Sequence, residues 1–161
     1  MPNNAPLVNG DYPYPEYIVV KTMPISANLA IVKGQIYTVD ANGNLIEPVS
    51  TSSVADCHTG IYQAMDNVAA NVTAGASSVQ CLTNRSRIIL KAATAGMVPG
   101  QEVELDSSLT VTTPDTCMVA VQPHTLGFLG RIIEIYTPGT NGATKQLTAV
   151  GDLVIIDLGE G

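Results

Sequence analysis

His58 and His124 are the only histidines in the chain, and Cys57, Cys81 and Cys117 its only cysteines. A Cys–His nucleophile would need the two side chains together in space, and the adjacency of Cys57 and His58 does not provide that, because neighbours on a strand point to opposite faces. Each histidine is followed by a threonine, Thr59 and Thr125, and such a repeated pair fits a side-chain bond at a turn better than one catalytic base. Glu102 and Glu104 would lie about 6.5–7 Å apart on one strand face. Glycosidases use paired carboxylates, but alternate acids on a strand read more simply as a solvated face. Asp40-Ala41-Asn42-Gly43-Asn44 has the flavour of a calcium loop without its length or closing glutamate. The cysteines are odd in number and lack CxxC spacing, so neither a disulfide framework nor a zinc site is indicated, and small buried thiols are the plain reading. No GxSxG, P-loop, HExxH or GxGxxG motif occurs. The expectation is a non-enzyme with no catalytic residues, no cofactor and no metal.

The segments that would position any such groups are short strands. Gly34-Gln35-Ile36-Tyr37-Thr38-Val39-Asp40, Gly100-Gln101-Glu102-Val103-Glu104-Leu105-Asp106 and Gly151-Asp152-Leu153-Val154-Ile155-Ile156-Asp157 follow one pattern. Glycine permits positive φ before the strand, and aspartate favours the turn after it. With a period of two, Tyr37 and Val39, Val103 and Leu105, and Val154 and Ile156 form an apolar face. The other face runs from mixed (Ile36, Thr38) to acidic (Glu102, Glu104) to apolar (Leu153, Ile155). The middle strand is expected to show one face to water. The last is expected to be buried on both faces or covered by a partner, which marks Leu153 and Ile155 as interface residues.

Upstream of each copy stands a β-branched run: 17–21, 87–91 and 131–136. Gly34, Gln35, Asp40, Pro48, His58 and Thr59 all recur 66 positions later. This spacing suggests a degenerate internal duplication (31–59 and 97–125), against two meanders that merely share turn residues. Asn42-Gly43 marks a hairpin returning through Leu45-Ile46. Gly60–Met65 reads as a strand, 66–75 as a surface loop, and Ser78–Leu82 as a strand pairing with the run 85–91. Further strands are expected at 109–112 and 118–121. About ten short strands predict an all-β fold, a small β-barrel or β-sandwich over 17–161, preceded by an extended arm, residues 1–16. That arm holds Pro2, Pro6, Pro13 and Pro15. Tyr12 and Tyr14 in it, and Tyr17 just beyond, suit contact with a neighbour's groove, or else the arm crosses its own domain.

The 161 residues are 45% hydrophobic, 4% aromatic and 13% charged, with 14 Gly, 10 Pro and a net charge of −7. The usual charged share is about 25%, so few charges hint at a surface covered by other subunits. Acidity and the lack of a Lys/Arg stripe argue against nucleic acid as a partner. No apolar run reaches membrane-spanning length and the first residues do not resemble a secretion signal, so assembly in a reducing cytoplasm, without membrane contact, is expected.

The strand after Gly34, the Gly60-Ile61-Tyr62-Gln63-Ala64 run, the basic-then-apolar segment 87–92, the Gly100 strand and Ala149-Val150-Gly151-Asp152 together resemble the decoration, or cement, proteins of tailed bacteriophage heads. The likeness spans roughly residues 30–160 and lies in turn residues and composition. The three cysteines have no expected counterpart there. The resemblance implies a compact β-barrel structural protein of the virion that binds the outside of the capsid. Its partners would be the major capsid protein and itself, often as trimers. Two other classes fit the same composition: a tail, fibre or pilus-like subunit, and a carbohydrate-binding β-domain. The absence of Trp weighs against the last.

Overall fold

The computed structural model describes residues 19–48, 60–84, 86–106, 116–119, 127–139 and 144–158. Ten strands and no helix lie among them, an all-β fold. Five form a first unit: β1 (Val20–Pro24), β2 (Ile36–Val39), β3 (Leu45–Ile46), β4 (Tyr62–Ala64) and β5 (Ser78–Leu82). Five form a second: β6 (Arg87–Ala92), β7 (Glu102–Leu105), β8 (Thr116–Val119), β9 (Gly130–Tyr136) and β10 (Leu153–Leu158). The arm 1–16, its Tyr12 and Tyr14, and Tyr17, Cys57, His58, His124 and the strand expected at 109–112 lie outside the described residues.

The two units share one topology. The first runs β1-β5-β4-β2-β3; the second is a closed barrel whose order, begun at β6, is β6-β10-β9-β7-β8. The barrel closes through a parallel pair, Lys91 with Thr116 and Ala92 with Cys117. A single parallel bridge, Ile25 with Leu45, links β1 to β3 at the corresponding place in the first unit. Where the sequence suggests one barrel over 17–161, the ladders thus separate into two five-stranded units. The topology repeats over 20–82 and 87–158, a longer stretch than 31–59 and 97–125.

Register makes the correspondence residue by residue. Ile36, Gln63, Leu82 and Val20 lie side by side across β2, β4, β5 and β1. Glu102, Arg131, Asp157 and Arg87 lie side by side across β7, β9, β10 and β6. The buried cores follow the same scheme. Met23, Ile25, Ile31, Tyr37, Ala64, Val79 and Cys81 fill the first unit. Leu90, Ala92, Met97, Val103, Ile132, Val154 and Ile156 stand at the equivalent places in the second.

Each glycine ahead of a repeated strand does the work its conformation allows. Gly34, Gly100 and Gly151 have φ of 87°, 88° and 90°. Each is the third residue of a four-residue turn, closed by Gln35 N–H on Val32 O, Gln101 N–H on Val98 O and Asp152 N–H on Ala149 O. This is the type II turn, which requires positive φ there and favours proline just before it, as at Pro99. The glycine N–H then donates to a neighbouring strand: Gly34 to Ala64 O, Gly100 to Ile132 O and Gly151 to Ala92 O, at 2.8–2.9 Å.

Two expected features change. β5 pairs with β1 and β4, not with the run 85–91, because residues 83–86 carry the chain from one unit into the other. The Ser86 hydroxyl accepts from Val19 N–H at 2.9 Å there, and its carbonyl accepts from Leu158 N–H at 3.0 Å, tying the start of β1 to the end of β10. β1 also extends past the expected run 17–21, through Pro24. Pro24 pairs with Ser78 of β5 alone, and a strand edge is where a residue without an N–H is tolerated.

Candidate functional site

Of the residues expected at an interface, Leu153 and Ile155 are 2% and 0% exposed within the single chain. They cluster with Ile89 and Tyr136 on the outer side of the barrel wall, while Val154 and Ile156 fill its interior. Their burial needs no partner molecule. β10 is paired on both edges, by β6 and β9, and covered on both faces.

The acidic pair is a solvated face only in part. Glu102 is half-buried and accepts a 2.7 Å hydrogen bond from the Arg131 guanidinium. Glu104 is 2% exposed, a burial that alternation along one strand cannot reveal. Its equivalent in the first unit is Thr38, also buried, whose hydroxyl donates to Gly60 O. The Asp40 carboxylate is spent on its own turn, accepting from the N–H groups of Asn42 and Asn44 at 2.8 and 3.0 Å. No cluster of three or more potential metal ligands occurs among the described residues. Cys81 is buried in the core, and burial pushes its thiol up to about 12. Burial, then the neighbouring Cys81, raises the Tyr62 hydroxyl as well.

The equivalent rows have opposite chemistry. In the first unit Ile36, Gln63 and Leu82 are buried, and Ile36 and Leu82 join the core cluster of the second. Gln63 donates from Nε2 to Gly34 O at 3.0 Å and to Ile89 O of β6 at 3.1 Å. In the second unit the row reads Glu102, Arg131, Asp157, Arg87, with ion pairs at 2.7 Å (Arg131–Glu102) and 3.5 Å (Arg87–Asp157). One row is the joint between the units. The other is a surface of alternating charge.

Among the described residues, one loop end of each unit is exposed and poor in charge. In the first, loops 25–35 and 65–77 are stitched by Ile31 N–H to Val68 O, Val68 N–H to Ile31 O and Asn28 N–H to Asn71 O, at 2.7–3.1 Å. In the second, Gly96 N–H donates to Thr148 O, Thr148 N–H to Met97 O, and the Thr148 hydroxyl to Thr94 O, at 2.8–3.0 Å. Residues 22–32 and 67–80 contain no charged side chain, and neither do 92–101 and 146–151. Exposed Lys33 and Asp66 stand at the edge of the first cap, and Lys145 and Asp152 pair at 2.6 Å at the edge of the second. Val72 is 81% exposed on the first cap; Val98, Leu147 and Val150 are 41%, 57% and 71% exposed on the second. Sequence reading did not find these caps, although the uncharged runs that make them are visible in it.

No family model, curated protein or solved structure matches this chain. Fold and surface define a class: a tandem of two like five-stranded β units, each with a loop cap poor in charge.

Proposed function

We propose that this chain is a structural protein of a phage head, binding the outside of the capsid lattice and reinforcing it. The observation that carries this reading is the pair of loop caps with long uncharged runs and exposed Val72, Leu147 and Val150 on a chain of net charge −7. Loop ends facing only water are ordinarily polar, and contiguous exposed apolar surface marks a place of contact. The backbone bonds across each cap hold it in shape beforehand, which lowers the ordering cost of association. The resemblance of the strand and turn pattern to head decoration proteins supplies the partner, the major capsid protein.

The test is co-sedimentation of the purified chain with heads assembled without it, together with melting of those heads with and without it added. Binding should raise the melting midpoint, because a partner that binds only the folded form at about 100 times its dissociation constant contributes about 2.7 kcal/mol. A chain that stays in the supernatant at every concentration overturns the reading.

A further inference from the structure

We infer that the free edge of β1 takes up an extended segment of another protein that carries a carboxylate opposite Lys21. The inference does not depend on the capsid reading. It starts from backbone groups. Thr83 N–H donates to Val19 O and Ile25 N–H to Ser77 O, so the odd-numbered residues of β1 bond to β5. Bonds alternate along an antiparallel pair, and Val20 and Thr22 therefore direct their N–H and C=O groups away from β5. Among the described residues no strand lies on that side of them, and the parallel bridge of Ile25 with Leu45 comes only after β1 has ended. Val20 is 43% exposed, and Lys21 and Thr22 are exposed beside it. By register Lys21 and Thr22 correspond to Ile88 and Ile89 of the second unit, both fully buried, so an open edge here is particular to the first unit.

Unpaired edge groups are answered by another strand, in which main-chain bonds give affinity and side chains give choice. Lys21 makes the choice. It stands opposite Cys81 on β5, a strand without charged residues, and no ion pair holds it among the described residues. Within β1, a second copy satisfies the Val20 and Thr22 groups in one antiparallel register, Val20 opposite Thr22, which sets Lys21 against Lys21. Moving the register to set Thr22 against Thr22 puts Val20 opposite Pro24, which has no N–H to give. Like charges directly opposite are destabilising, and opposite charges stabilising. The edge is thus closed to its own kind and open to a strand with aspartate or glutamate at the facing position.

The experiment is NMR of the full chain titrated with a synthetic peptide of alternating threonine and valine around a central glutamate, and with the same peptide carrying lysine there. The glutamate peptide should shift the Val20 and Thr22 amides, slow their exchange, and bind about tenfold more tightly than the lysine peptide. Lys21→Glu should reverse that order while melting like wild type, because the side chain is exposed. Thr22→Pro removes an N–H that β5 does not use, and should abolish binding of both peptides. Equal binding of the two peptides, or no shift of these amides at millimolar peptide, overturns the inference. Slow exchange of Val20 and Thr22 in the free chain shows the edge already filled and overturns it too. A dimer in sedimentation velocity that Thr22→Pro dissolves shows a second copy there, with the same consequence. Heads take no part in these measurements, so each result leaves the capsid reading as it was.

Discussion

Gln63 and Arg131 occupy the same place in two copies of one topology, and only one of them is buried. Gln63 lies between Ile36 and Leu82 and reaches across to the carbonyl of Ile89 in the other unit. Arg131 lies between Glu102 and Asp157 and holds Glu102 at the surface. The row that is apolar in the joint is charged in its counterpart, and a charged row resists the head-to-tail adhesion that makes open chains.

Converting the charged row to its counterpart, Glu102→Ile with Arg131→Gln and Asp157→Leu, should therefore produce concentration-dependent self-association in sedimentation velocity. Arg131→Gln alone should cost no more than about 1 kcal/mol, as expected for an ion pair this exposed. A triple variant that stays monomeric at high concentration removes the charged row as a barrier to self-association.

Gln63→Leu keeps the bulk of the side chain but removes both donors, leaving the carbonyls of Gly34 and Ile89 without them. The expected loss is about 1–3 kcal/mol in urea unfolding. Gln63→Glu should be worse at neutral pH, since a buried carboxylate would face two carbonyls. Its folded-state pKa would be raised, so stability should return as pH falls and the group protonates. Equal midpoints for Gln63→Glu at pH 4 and pH 7, relative to wild type, would contradict the burial of this amide.

Cys81 stands where the second unit has Ile156, and its thiol is held protonated up to about 12. An unfolded thiol titrates at about 8.5. Between those values the unfolded chain releases a proton that the folded chain keeps. Stability is thus full below the lower value and declines as pH rises through the window. The melting midpoint should fall from pH 9 to pH 11, and Cys81→Val should fall less. In native protein at pH 8, a thiol reagent should modify Cys81 only at the rate of unfolding.

Glycine 130 and glycine 100 should respond differently to alanine. A Cβ on Gly130 would collide with the Asp157 carbonyl oxygen, where β9 and β10 run close. Gly130→Ala should destabilise by about 1–3 kcal/mol or more through backbone displacement. At Gly100 nothing lies within 4 Å of a new Cβ, so only the positive φ of 88° resists the change. That strain is about 1–2 kcal/mol. Denaturant midpoints of the two variants would separate the causes, and a neutral Gly130→Ala would refute the close approach.

Period and turn chemistry are local, and they are why so much of the strand order was legible. The inward faces of the three glycine-led strands follow from alternation alone: Tyr37, Val103, Leu105, Val154 and Ile156 are all buried. The positive φ at Gly34, Gly100 and Gly151 follows from residue type, because the type II turn admits little else. The Asn42-Gly43 hairpin between β2 and β3 is equally local, closed by Asp40 N–H on Asn44 O.

The outward faces were decided elsewhere. Glu102 and Glu104 have the same side-chain type and the same strand face, yet one pairs with Arg131 at the surface and the other is buried. Pattern alone leaves Leu153 and Ile155 to be covered either by their own chain or by a partner molecule, and they are buried within their own chain. Nothing local to β5 says that it joins β1 and β4 rather than the adjacent β6, since antiparallel partners at either distance satisfy the same backbone groups. By itself the sequence determined which residues face inward and where the chain turns, because these depend on a residue and its nearest neighbours. Only the tertiary structure decided which outward row becomes a joint, which becomes a charged surface and which loops meet as a cap. Those outcomes depend on groups as far apart in sequence as Ser86 and Leu158, brought together by two passes of one topology.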